Sequence, residues 1–137
     1  MRHVLAYLQA RNEWERDAFQ RYKNEGTRHL KQVLDEIHQG YDALLARYCT
    51  PKVLARRANS SFGTPPSVDP ALTRFRGVRL SRGTAVVVTH EDTKVPGGRQ
   101  FDLIDEYEYV LRGSGTDWLI DDRRSRDSDG RWIRSIL

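Results

Sequence analysis

Tyr107-Glu108-Tyr109-Val110-Leu111-Arg112-Gly113-Ser114-Gly115-Thr116-Asp117-Trp118-Leu119-Ile120-Asp121-Asp122-Arg123 reads as two β-strands joined by a glycine-rich turn. Side chains alternate between the two faces of a strand, so Leu103, Tyr107, Tyr109 and Leu111 share one face of a strand over 101–112. Gly113-Ser114-Gly115 supplies the hairpin loop. The returning strand runs over 117–126, and strict alternation puts Trp118, Ile120 and Asp122 together. Upstream, Ala85-Val86-Val87-Val88-Thr89 anchors a strand over 84–91, and Phe75 to Leu80 gives a weaker one. Pro96-Gly97-Gly98 and Ser128-Asp129-Gly130 are turn sequences, the second leading into a last short strand from Trp132. The C-terminal half is therefore an antiparallel meander.

The N-terminal half has the helical period instead. Val4, Leu5, Leu8, Ala18, Phe19 and Tyr22 recur on one face over 3–23, with Tyr7 and Trp14 at its edge. Asn24-Glu25-Gly26 breaks the pattern, and Thr27 is a suitable N-cap for a second helix over 28–48. Its stripe is Leu30, Val33, Leu34, Ile37, Tyr41, Leu44, Leu45 and Tyr48. Thr50-Pro51 has the N-cap and first-turn proline of a short third helix reaching about residue 57. Residues 59–70, with three prolines and Gly63, carry neither period. Helices first and a meander second give an α+β class, the helices expected on one face of a curved sheet. Neither half has enough apolar surface to close a core alone, so a single domain is expected over 1–137, helical to about 58, looped to 70 and sheet from 71.

Composition narrows the function. The 137 residues suffice to fold without disulfides or metal. The lone Cys49 allows no internal disulfide, which suits a reducing compartment. The apolar run between Arg2 and Arg11 is too short for a signal peptide, and no stretch is fit to cross a membrane, so a cytoplasmic location is expected. The net charge is +4, but no basic stripe follows one face, so nucleic acid is not an expected partner. Residues 1–68 carry the excess, 11 Lys/Arg against 7 Asp/Glu. The second half is balanced but polarised. Asp102, Asp105, Glu106 and Glu108 make one strand acidic, and Arg123, Arg124, Arg126, Arg131 and Arg134 crowd the tail.

Three constellations bear on chemistry. Arg11 and Glu15 lie four apart on the apolar face of the first helix, as the floor of a polar pocket or as an internal ion pair. Asp105 and Asp122, with His90 nearby, would form a pair of carboxylates in an aromatic-lined cavity if both faces turn inward, or lie at a solvated sheet rim. The four histidines show no metal-ligand spacing with one another or with Cys49, so no metal and no cofactor is expected. Cys49 lacks a nucleophile motif and reads as a small core residue at a helix end.

The hairpin wording from Tyr107 to Leu111 and from Trp118 to Arg123 is similar to the closing strands of cone-shaped NTF2-like domains. Asn12-Glu13-Trp14-Glu15, Tyr48-Cys49-Thr50-Pro51, Thr64-Pro65-Pro66 and Gly130-Arg131-Trp132 appear in the order found in one branch of that superfamily. Over nearly its whole length the chain resembles the NTF2-fold immunity proteins of bacterial polymorphic toxin systems. The resemblance implies an NTF2-like cone and a non-enzymatic role: binding and neutralising a cognate toxin domain, as a monomer or homodimer. It carries over no catalytic residues. The polarised segments then become the expected partner-binding residues: Asp102, Asp105, Glu106, Glu108, Arg123, Arg124 and Arg126. The alternative from a different class is a small NTF2-like isomerase or dehydratase using Asp105 or Asp122.

Overall fold

The computed structural model of the chain describes residues 2–25, 29–56, 70–92, 104–114, 117–126 and 130–135. They fall into two compact units, residues 2–70 and 71–137. The expected N-cap Thr27, the turn at Pro96 and nearly all of the 59–70 loop lie outside the described residues.

The first unit is helical. Helix α1 (Arg2–Glu25) and helix α2 (Leu30–Tyr48) are followed by a five-residue helix α3 (Pro51–Ala55). Pro51 fixes this break. The residue before a proline is pushed out of the helical region, and Thr50 is extended at φ −73°, ψ 160°. Cys49 N–H still reaches Leu45 O at 2.8 Å, the last bond of the α2 ladder.

In α1 the buried set is Val4, Tyr7, Leu8, Arg11, Asn12, Glu15 and Ala18. Tyr22 departs from the expected stripe and is exposed, while Arg11 and Glu15 are buried on the face where their spacing places them, with Asn12 beside them. In α2 it is Val33, Ile37, Tyr41 and Leu45, spaced by four. Ala18, Val33 and Ile37 form one cluster with Trp14 packed on it. Trp14 Nε1 donates to Ile37 O at 3.1 Å, which fixes the indole between the helices. Farther along, Arg21 joins Glu36 across the helix pair, and this guanidinium holds the Glu36 carboxyl below its ordinary value.

Cys49 is buried at the end of α2, and burial pushes its thiol from 9.0 up to about 12. At pH 8 the native thiol will therefore resist iodoacetamide and react only as fast as the chain opens. Between pH 9.0 and 12 the unfolded thiol ionises while the folded one stays protonated, so stability falls as pH rises through that window. Alkylation kinetics followed by intact mass check the first effect, and urea midpoints above pH 9 the second.

A short turn of 3-10 helix (Pro70–Leu72) leads into the second unit. Five strands follow: β1 (Thr73–Ser81), β2 (Thr84–Asp92), β3 (Ile104–Ser114), β4 (Asp117–Arg126) and β5 (Trp132–Ser135). They form one antiparallel sheet in chain order. The β1–β2 hairpin closes on Arg82-Gly83, with Gly83 at φ 65°, a conformation that costs glycine little. Two irregularities interrupt the ladders. Pairing shifts between Phe75 and Gly77 on β1, and on β4 one extra residue, Asp121, stands between the partners of Val110 and Leu111.

The sheet has a buried and an open face. Ala85, Val87 and Thr89 of β2, Tyr109 and Leu111 of β3 and Ile120 of β4 are all buried, and the registers put them on one side. The other side carries charge.

Candidate partner-binding face

The registers also settle which charged residues share the open face. His90 pairs with Glu106, Val88 with Glu108, and Val86 with Val110, so Glu106 and Glu108 flank the β2 valines. Across the other edge of β3, Glu108 pairs with Arg124 and Val110 with Asp122. Arg124 in turn pairs with Arg134 of β5. Arg79 of β1 pairs with Val86 and therefore stands on the same side.

The extra residue in β4 corrects one expectation. Strict alternation groups Asp122 with Trp118 and Ile120. The bulge shifts the count by one, so Asp122 follows Val110 to the open face while Ile120 follows Leu111 to the buried one. Asp122 there meets Arg134, Nε to Oδ2 at 3.7 Å. The paired-carboxylate cavity thus loses one of its two acids. The other, Asp105, pairs through its backbone with Glu91 on β2, and its side chain lies outside the described residues.

The open face is built from ion pairs that cross strands. Glu108 is buried and joined to Arg79, which reaches over β2 to meet it. Arg112 Nε donates to Asp121 Oδ2 at 2.7 Å. Glu106 takes Arg126 at 3.4 Å and His90 at 3.5 Å. In the four arginine pairs the acid side chains are 4% to 23% exposed and the arginines 46% to 71%. Each acid therefore lies under its arginine. A buried carboxylate must be paired, and an arginine has five N–H groups, so it can hold the acid below and still present donors outward. Arg126 also lies over the Trp132 ring at 4.8 Å. Arg124 is exposed in the middle of this array and has no ion-pair partner among the described residues.

Of the seven expected partner-binding residues, Glu106, Glu108, Arg124 and Arg126 come together on this face. Glu108 offers no bare carboxylate there, because Arg79 covers it. Arg123 stands on the opposite face, its guanidinium over the Tyr107 ring at 4.9 Å. Asp105 belongs to that side by register, and Asp102 lies outside the described residues. Arg79 and Arg112 were missed. Arg79 sits 29 residues from Glu108 in sequence, so no local pattern links them.

Arg11 and Glu15 prove to be a buried pair on α1, Nε to Oε2 at 3.9 Å. The guanidinium lies 5.0 Å from the Trp14 ring centre and 4.4 Å from that of Tyr41, while its Nε and Nη1 make no hydrogen bond among the described residues. Among the described residues no group of three His, Cys, Asp or Glu has the arrangement of a metal site. No described helix is long and apolar enough to cross a membrane.

The model of the family described as NTF2 fold immunity protein matches residues 2–135. No curated protein and no solved structure gives a significant match. The family match spans nearly the whole chain, and the chain belongs to that family.

Proposed function

We propose that this member of the NTF2 fold immunity family binds the toxin domain encoded beside it and neutralises it by occupancy, without catalysis, in the cytoplasm of the bacterium that makes both. The observation that carries this reading is the family match over residues 2–135. The proposed contact surface is the open sheet face, with Glu106, Arg124 and Arg126 from the expected set joined by Arg79 and Arg112. Of the other expected residues, Glu108 would hold Arg79 from beneath, Asp105 and Arg123 belong to the opposite side, and Asp102 lies outside the described residues. Cross-strand ion pairs support this choice, because residues already held in place lose little entropy on binding. On this reading the chain acts as one domain, and one copy inhibits one toxin.

Co-expression tests it. Cells producing the neighbouring toxin domain will survive when this chain is made with it, and the two will co-purify at one to one. A toxin domain that stays fully active in an excess of this protein overturns the proposal.

A further inference from the structure

We propose that the partner meets the open sheet face with a carboxylate-rich surface: Asp and Glu side chains of a folded protein, received by Arg79, Arg112, Arg124, Arg126 and Arg134. This deepens the reading above and rests on it. The argument is one of layers. The face holds nearly equal numbers of arginines and acids, but they stand at different depths. The acids are 4% to 23% exposed and already bonded, whereas the arginine side chains are 46% to 71% exposed. An approaching surface therefore meets mainly N–H donors, with Glu106 the most exposed of the four acids at 23%. A guanidinium offers two parallel N–H groups that fit a carboxylate, and pairing from below fixes its orientation in advance.

Arg124 is the focus. It lies between Glu108 and Arg134 in the registers, is exposed, and has no ion-pair partner among the described residues. An acid placed there would complete the array.

The same layering argues against nucleic acid. A phosphate chain is drawn by a net positive field, and Glu106, Glu108, Asp121 and Asp122, each paired with an arginine, cancel most of that field. Short-range forks without a strong long-range field suit discrete carboxylates on a protein.

The experiment measures affinity of the full chain for the toxin domain encoded beside it, by calorimetry at fixed salt. Arg124→Glu will weaken binding about 100-fold or more, and Arg134→Glu by a comparable factor, since each sets like charges against each other in a desolvated contact. Arg124→Lys keeps the charge but loses the fork and will cost about tenfold. Lys31→Glu, on α2, will leave affinity within about twofold. Should a charge-reversed chain fail to fold, phenylglyoxal footprinting of the wild-type complex replaces it: the face arginines will be protected against modification. Tight wild-type binding unchanged by Arg124→Glu and Arg134→Glu, or unprotected arginines, overturns this inference and leaves the immunity reading standing. Absence of wild-type binding overturns that reading and this one with it. A 20-nucleotide RNA that binds, and is lost in Arg124→Glu while toxin binding persists, assigns the face to nucleic acid and overturns the inference.

Discussion

Glu15→Ala will lower the stability of the folded chain by about 3–5 kcal/mol, seen as a fall in the urea midpoint at unchanged slope. The size follows from what remains. Glu15 is 2% exposed, and its loss leaves the Arg11 guanidinium buried with its compensating charge gone. Trp14 and Tyr41 offer ring faces to that cation, but cation–π contacts are worth about 1–2 kcal/mol, less than burying an unpaired charge costs. Glu15→Gln keeps the shape and will fall between wild type and Ala. Replacing both partners, Arg11→Met with Glu15→Leu, will restore most of the loss, because two apolar side chains need no partners. This series decides between the two sequence readings of the pair. A loss below about 1 kcal/mol for Glu15→Ala would mean that water reaches Arg11, as in the floor of an open pocket.

Gly113→Ala will cost about 3–5 kcal/mol and loosen the β3–β4 hairpin. Gly113 has φ +148°, and an added Cβ would sit 1.9 Å from the Asp117 carbonyl oxygen and 2.9 Å from its carbon. Both atoms are backbone, so no rotamer change relieves the contact. Strain of about 1–3 kcal/mol from the dihedral adds to a similar overpacking cost. Gly83→Ala is the comparison. It too has positive φ, but nothing lies within 4 Å of the new Cβ, so about 1 kcal/mol is expected. Thermal melts of the two variants will separate backbone strain from collision. Equal losses would mean that the hairpin end rearranges without resistance.

Gly113 opens the Gly-Ser-Gly turn that the sequence announces, whereas the turn at Gly83 shows only in the structure, and much of the architecture was legible as the first was. β4 occupies the residues that alternation and the Gly-Ser-Gly turn assign to it. α2 and α3 meet at Pro51 for the reason the proline gives. What escaped was every feature that depends on a count or on distance. A single inserted residue at Asp121 reverses the face of Asp122, and nothing in Ile120-Asp121-Asp122-Arg123 marks which aspartate is the insertion. Arg79 looked like one charge among many until β2 placed it across from Glu108. On α1, Tyr22 fits the apolar period yet is exposed, while Arg11 and Glu15 break the period and are buried. Their burial was legible only as a question, because pairing depends on side-chain geometry that spacing does not contain.

The interrupted pairing between Phe75 and Gly77 bears on how the protein is kept in a cell. β1 is the outer strand of the sheet, and a long, straight outer strand is a template on which another copy can polymerise. Here the strand is kinked near its start and flanked by the exposed Arg74, Arg76 and Arg79. A like strand cannot stay in step with it for more than a few residues, and cation would face cation. At the far side β5 is only four residues long. On the proposed function, an inhibitor that works one for one would be stockpiled ahead of the molecule it stops. The shifted pairing would then make that reserve safe to hold, and its failure would show as fibres in resting cells long before any loss of binding.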